Sequence, residues 1–311
     1  MRFTYLGVAG FLIRAGDEAI VTAPSFTHPR LWAVATPFWP IHSDSGTVDR
    51  ALHRLLGREF AALDSVHVLL VGHSHYDHVM DVPLLARRFL PNATIYGSLT
   101  TKRTLVGDEY LRDHPERIDS LFPADSAIAT AWHVGRWNYS PHRRMRFMAM
   151  RSSHARNWLF ITLAPCHEAH DRRSLPRTAW GWCLGEPLSY IIDLLDGNGH
   201  PVFRIFYQDA ASRPLDVVMP PFEAADQHAV DVAILCAGNF KKVDEYPTLL
   251  LAAVRPKYVI VGHWEDFFHD QGDAPTPVRL TDTRELAARL DVMGAQRWMT
   301  LVPGGQLKVL Y

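Results

Sequence analysis

Apolar and polar positions along the chain divide it into short runs with two different periods. Phe3-Thr4-Tyr5-Leu6, Phe11-Leu12-Ile13-Arg14 and, after the Gly16-Asp17 turn, Ala19-Ile20-Val21-Thr22 read as strands of a meander. Pro24 to Pro40 carries proline and tryptophan without periodicity and reads as a surface loop. Val48 to Leu63 has helical spacing, with Leu52, Leu55, Leu56 and Phe60 on one side. It leads into Val66-His67-Val68-Leu69-Leu70-Val71, a run suited to a buried strand. Asp81 to Phe89 reads as a helix with a polar start and an early proline. Further strands are expected at Thr94-Ile95-Tyr96, Arg146 to Met150, Val202 to Tyr207, Val232 to Leu235 and Tyr258 to Val261, with helices between several of them.

This order of strand, loop and helix is that of an α/β protein. From Cys166 to Pro187 the periodicity lapses while His167, His170, Arg172, Arg173, Arg177, Trp180 and Trp182 accumulate, so a long excursion over the surface is expected at about 166–187. Val302 to Leu307 reads as a closing turn and terminal strand, because no helix start follows its glycines. There is no repeat, low-complexity tract or interdomain linker, and the expectation is one domain over 1–311 with elaborate loops.

Composition narrows the classes. Of 311 residues, 48% are hydrophobic and 21% charged, the balance of a globular protein. A net charge of −1 provides no basic field for tracking a nucleic-acid backbone, so no nucleic-acid partner is expected. No apolar stretch is long enough to span a bilayer, and the amino terminus lacks a secretory pattern, which predicts a cytoplasmic protein. Cys166, Cys183 and Cys236 show no metal-type pairing and are expected as reduced thiols. Histidine is abundant, at 17 copies, and imidazole is the commonest protein ligand for zinc-like metals.

The central signal is His73-Ser74-His75-Tyr76-Asp77-His78, four potential ligands directly after a predicted buried strand. Alternate positions share a face and adjacent ones diverge, so such a loop can serve two neighbouring ions. A hydrolytic metal site needs further ligands. His154, Asp209 and His263 each follow a predicted strand by a short turn, where loops of one sheet edge converge. Taken singly, each is a residue type found more often as a structural polar group than as a ligand.

With the histidine-rich turn they form an ordered set, and here the sequence resembles the metallo-β-lactamase superfamily. Its hydrolases carry an HxHxDH motif followed by separated His, Asp and His ligands. The order His73/His75/Asp77/His78, His154, Asp209, His263 extends across about two-thirds of the chain. The resemblance implies a four-layer αβ/βα sandwich of the metallo-β-lactamase type with two divalent metal ions at one edge. By that correspondence His73, His75 and His154 hold one ion, Asp77, His78 and His263 hold the other, and Asp209 bridges them. Zinc is the first choice, and manganese and iron accept similar ligands. One position departs from the pattern: many relatives have Asp-Pro after the early strands, where this chain has Ala23-Pro24.

Two close cations make hydroxide available near neutral pH and polarise the bond under attack, so no nucleophilic serine is required. The expected activity is metal-bound hydroxide attack on a small anionic or amphipathic phosphodiester, lactone or related ester. Asp77 and Asp209 would orient the nucleophile, and Asp77 would also accept a proton. The Ser74/Tyr76 form of the motif resembles the lactonase and phosphodiesterase branch. Lys241 and Lys242 are candidates to attract an anion and Trp264 to supply an apolar wall, against plainer roles as a charged turn and a packing tryptophan. The alternatives are a nuclease on the same scaffold, an iron-centred oxidoreductase, or an inactive binding protein stabilised by its metals. Histidine rather than glutamate at position 75, with Asp77 and His263 retained, favours hydrolysis.

Overall fold

A computed structural model describes residues 1–121, 135–157, 161–213, 219–279 and 281–311. Fourteen strands are described: β1 (Arg2–Gly7), β2 (Gly10–Ala15), β3 (Glu18–Thr22), β4 (Val66–Leu70), β5 (Thr94–Gly97), β6 (Ile118–Ser120), β7 (Asn138–Tyr139), β8 (Met145–Arg151), β9 (Leu188–Leu195), β10 (Pro201–Gln208), β11 (Val232–Cys236), β12 (Tyr258–Gly262), β13 (Trp298–Thr300) and β14 (Gln306–Lys308). They form two seven-stranded sheets, ordered β14-β1-β2-β3-β4-β5-β6 and β13-β12-β11-β10-β9-β8-β7.

Each sheet is antiparallel at one end and parallel at the other. β14, β1, β2 and β3 pair antiparallel, whereas β3 through β6 pair parallel. In the second sheet β10 through β13 run parallel, and β9 lies antiparallel between β8 and β10. As a result β8, β10 and β12 all point the same way, and their carboxyl ends lie at one edge, where loops can converge.

Alternation along the strands assigns the layers. Phe3, Leu12 and Ile20 of the first sheet and Phe147, Ile192, Phe203 and Ile205 of the second belong to one apolar cluster. The neighbouring positions Met148, Ile191 and Phe206 face the other way, onto a second cluster with Leu250, Leu251 and Val254 of the helix Thr248–Val254 and with Leu286 and Leu290 of the helix Thr283–Leu290. The helix Ser45–Leu56 contributes Val48, Leu52 and Leu55 to the first cluster. These layers match the α/β sandwich expected.

Several local expectations need correction. The helix expected over 48–63 starts at Ser45, because Asp44 accepts a hydrogen bond from the Thr47 N–H at 2.6 Å, a cap worth about 1 kcal/mol. It ends at Leu56, where Gly57 takes φ +50° and 3₁₀ turns follow to Ser65. The loop 24–40 contains a short helix, Leu31–Ala35. Strand β9 was not expected; its apolar run is broken by Asp193. Cys166 and Cys183 form a disulfide rather than two free thiols, since the long loop folds back on itself and brings their Cα atoms to 4.8 Å. Cys236 is free and buried.

Candidate metal centre

Seven side chains meet at the edge where β8, β10 and β12 end. His73 and His75 follow β4; Asp77 and His78 lie on the single turn Tyr76–Val79; His154, Asp209 and His263 follow β8, β10 and β12. Their donor atoms fall into three groups, each within 4.8 Å: His73 with His75 and His154, Asp77 with His78 and His263, and His73 with His78 and Asp209. The third group shares a member with each of the others, so Asp209 stands between them. Ring centroids are 4.0 Å apart for His73 and His78, 4.6 Å for His73 and His154, and 5.4 Å for His78 and His263.

The backbone is shaped around this cluster. A Cβ on Gly72 would lie 2.1 Å from Asp209 Oδ2, so only glycine at 72 lets that carboxylate lie against the turn. The His75 Nε2–H donates to the Leu163 carbonyl at 2.7 Å, and the His154 Nδ1–H to the Ala155 carbonyl at 2.5 Å. Carbonyls only accept, so each ring keeps a lone pair on its other nitrogen. His263 sits in the left-handed region with φ +54°, and its N–H reaches the Val8 carbonyl at 2.6 Å and the Tyr5 hydroxyl at 3.0 Å. Val8 is itself left-handed at φ +53°, an uncommon conformation for a β-branched residue. Glu265 holds it there, accepting from the Val8 N–H and from the Tyr5 hydroxyl, both at 2.5 Å.

Electrostatics favour neutral imidazoles. Burial, followed by the proximity of other imidazoles, lowers His73 well below its ordinary value, and burial lowers His78 to about 3 despite the opposing pull of Asp77. Burial and then the charge of Asp77 push Asp209 well above the usual carboxylate range. For Asp77 burial acts upward, yet His78 and His263 outweigh it and hold the carboxyl below its ordinary value. The polar atoms are not all satisfied: His73 Nε2, His78 Nδ1, His263 Nδ1 and Asp209 Oδ2 are buried without a hydrogen-bond partner. Orphaned atoms of this kind are rare and costly in a folded interior, and four in one cluster of lone-pair donors fit a cation-binding role. His154 is only partly buried, which leaves the cluster open on that side.

Other expected residues lie further out. The Lys241 ammonium pairs with Asp282 at 3.2 Å and with Glu285. Lys242 reaches the Asn157 carbonyl and, at 3.0 Å, Asn239 Oδ1. The Trp264 indole donates to the Leu301 carbonyl at 2.9 Å. The loop 166–187 and the start of β9 brace the histidine-rich turn: the Ser74 N–H donates to the Leu184 carbonyl at 3.1 Å and the Leu188 N–H to the Gly72 carbonyl at 2.6 Å. Sequence reasoning did not single out Tyr5, Glu265 or Asp81. Asp81 has the position of a helix N-cap but makes no cap; its carboxylate accepts from the Phe26 and Thr27 N–H groups and from Ser43, tying residues 26–43 to the metal-type turn.

No protein-family model matches the sequence, and no curated protein matches it either. Solved structures do. A metallo hydrolase from the hyperthermophilic archaeon Ignicoccus hospitalis aligns over 100% of this chain and 98% of its own, with a TM-score of 0.54 at 14% identity. An isothiocyanate hydrolase from Delia radicum gut bacteria aligns over 99% of both chains, with a TM-score of 0.52 at 14% identity. CmlA, a diiron β-hydroxylase from Streptomyces venezuelae, gives a TM-score of 0.53 at 12% identity, with 99% of this chain covering 54% of that one. The fold is the metallo-β-lactamase fold. Among the described residues no helix is long and apolar enough to cross a membrane.

Proposed function

We propose that this chain is a dinuclear metal-dependent hydrolase of the metallo-β-lactamase superfamily. Its substrate class is a small anionic or amphipathic phosphodiester, lactone or related ester. His73, His75 and His154 would hold one ion and Asp77, His78 and His263 the other, with Asp209 between them. The observation that carries this reading is the convergence of the three donor groups around Asp209, with four buried atoms left without a hydrogen-bond partner. When bound, two divalent ions supply an activated water near neutral pH and polarise the bond under attack.

The chain's own residues supply the rest. The Leu163 and Ala155 carbonyls fix which nitrogen of His75 and of His154 is free. Asp77, with Oδ2 3.5 Å from His263 Nε2 and 3.6 Å from His78 Nε2, is held ionised and can accept a proton during turnover. Partly exposed His154 marks the side from which substrate arrives. Of the two lysines, Lys242 is the better anion contact, since it reaches Asn157 on the His154 loop whereas Lys241 is occupied by two carboxylates. A hydrolase is preferred over iron-centred oxidation, which the diiron neighbour brings into view, because position 75 is histidine.

The test is turnover of bis-p-nitrophenyl phosphate and of a lactone panel by wild type, Asp77→Ala and His263→Ala, together with metal analysis of each protein. Two ions per wild-type chain are expected, with activity lost in both variants. Equal activity in all three defeats the assignment. Iron with visible absorption and oxygen consumption moves it to redox chemistry.

A further inference from the structure

The disulfide lies against the metal-type turn. Its cysteines sit on two stretches of chain, residues 163–166 and residues 182–188, that are bonded to each other. The Leu184 N–H donates to the Ala164 carbonyl at 2.9 Å and the Gly185 N–H to the Cys166 carbonyl at 3.0 Å. Each arm also grips the turn. On the first, the Leu163 carbonyl accepts from His75 Nε2–H at 2.7 Å. On the second, the Leu184 carbonyl accepts from the Ser74 N–H at 3.1 Å, and the Leu188 N–H donates to the Gly72 carbonyl at 2.6 Å. The Cys166–Cys183 bond therefore closes a clamp over Gly72 to His75, the run that holds the proposed ligands His73 and His75.

The two arms are held unequally. The second is rooted, since Trp182 is buried in the main apolar cluster and Leu188 opens β9. The first is not: Pro165 is exposed, Leu163 and Cys166 are half-buried, and Ala164 takes the left-handed region at φ +39°. A residue with a Cβ stays in that region only while its surroundings over-determine it. The restraints here are few. The Ala164 carbonyl accepts from the Cys166 and Leu184 N–H groups at 2.7 and 2.9 Å, the Leu163 N–H donates to Asn157 Oδ1 at 2.8 Å, and the covalent bond lies two residues further on. The arm most dependent on the bridge is thus the one that orients His75.

We propose that Cys166–Cys183 is a redox-cleavable clamp that sets the affinity of the ion assigned to His73, His75 and His154, an inference that rests on the metal centre proposed above. One thiolate of a dithiol reductant attacks Sγ of Cys166, the half-exposed partner; the S–S bond breaks and its electron pair passes to Cys183 Sγ, which takes up a proton. The reductant's second thiol then displaces Cys166 as the thiol and closes the reductant's own disulfide. One protein disulfide and one dithiol give two protein thiols and one reductant disulfide. Cys236, buried in β11, takes no part. With the bridge open the first arm leaves the turn, and His75 loses the acceptor that fixes its tautomer and ring orientation. Loss of such a partner typically weakens metal binding about 10–100-fold. The other ion is spared, because among the described residues Asp77, His78 and His263 make no hydrogen bond to either arm.

The test is zinc affinity of the full chain, read by competition with a chromophoric chelator, before and after treatment with dithiothreitol that is then removed under argon. Thiol titration of the denatured protein should give one thiol in the oxidised form and three after reduction. Oxidised wild type is expected to bind two zinc ions tightly. In reduced wild type and in Cys166→Ser/Cys183→Ser one ion stays tight and the other weakens about tenfold or more, while the metal-free proteins still melt cooperatively. The serine variant also excludes zinc capture by the two new thiols, and Cys166→Ala/Cys183→Ala replaces it if it does not fold. In His75→Ala, oxidised and reduced proteins should bind the remaining ion alike. Three thiols in the aerobically prepared protein overturn the proposal, as do unchanged affinities after reduction, equal weakening of both ions, or a reduction effect that persists in His75→Ala. A reduced protein with no cooperative melt shows a bridge that holds the whole fold and overturns the local clamp. Oxidised wild type that binds no zinc defeats the metal centre itself, and the clamp with it.

Discussion

Two buried polar clusters lie on the second sheet and have opposite character. On its outer face Arg146 of β8, Asp193 of β9 and Arg204 of β10 stand side by side in register. Asp193 accepts from Arg146 Nε and Nη2 and from Arg204 Nε and Nη2, at 2.7 to 3.0 Å. The guanidiniums are covered by Trp137 and Phe222, each 3.9 Å from ring centroid to cation, and the remaining Arg204 donors reach the His228 and Asp226 carbonyls. At the sheet edge, by contrast, five imidazoles and two carboxylates gather with four atoms that have no hydrogen-bond partner. Charge and burial are alike in the two, but satisfaction is not. A closed network needs nothing more, whereas an open one is completed by a ligand.

The largest effect expected from this contrast is in the closed cluster. Asp193→Asn leaves Arg204 buried without its anion and Arg146 with Asp226 alone, at 2.8 Å, and removing one partner of such a group typically costs about 3–5 kcal/mol. Denaturant unfolding should show a loss of that size, at the limit no folded protein, and added zinc should not restore it. A loss under 1 kcal/mol would show that the outer cluster is not closed in the sense described.

In the open cluster the corresponding change should act the other way. Asp209 is a buried carboxyl held above its ordinary range by burial and by Asp77, so without a cation its ionised form destabilises the fold. Chelator-treated Asp209→Asn is therefore expected to melt above chelator-treated wild type. Zinc at about 100 times its dissociation constant should stabilise wild type by about 2.7 kcal/mol and leave the variant nearly unchanged. Thermal melts with and without zinc read both effects. A zinc-induced shift of equal size in the variant would remove Asp209 from the centre of the site.

The same contrast explains what could be read from the sequence. His73, His75, Asp77 and His78 are legible because four ligand types crowd one strand end, and His154, Asp209 and His263 because each also follows an apolar run. The disulfide was not, since Cys166 and Cys183 are separated by 17 positions of aperiodic loop and only the loop's fold brings them together. Glu265, two residues beyond His263, looks like any surface acid until Tyr5 and Val8 are seen to close on it from the first sheet. β9 escaped notice because its Asp193 breaks an otherwise apolar run, yet Asp193 is the residue that β8 and β10 enclose. Local pattern reports which residues a segment contains, while partners that come from the other sheet appear only with the fold.

The smallest effect concerns pH in the metal-free protein. His73 and His78 are both lowered in the folded state, His78 to about 3, whereas in the unfolded chain each titrates near the ordinary 6.5. Below pH 6.5 the unfolded chain therefore binds protons that the fold refuses, and stability must fall as pH falls toward 3. Each histidine contributes a slope approaching 1.4 kcal/mol per pH unit, so at pH 5.5 the loss is about 1 kcal/mol apiece. Asp209 has the opposite sign: its raised value makes the fold bind the extra proton above pH 3.8, so its contribution recovers as pH falls. Chelator-treated wild type should thus lose stability between pH 6.5 and 5, partly offset by Asp209, and Asp209→Asn should lose it more steeply because that offset is gone. Urea midpoints across this range in the two proteins provide the measurement. Parallel curves would mean that the carboxylate and the imidazoles do not share one buried site.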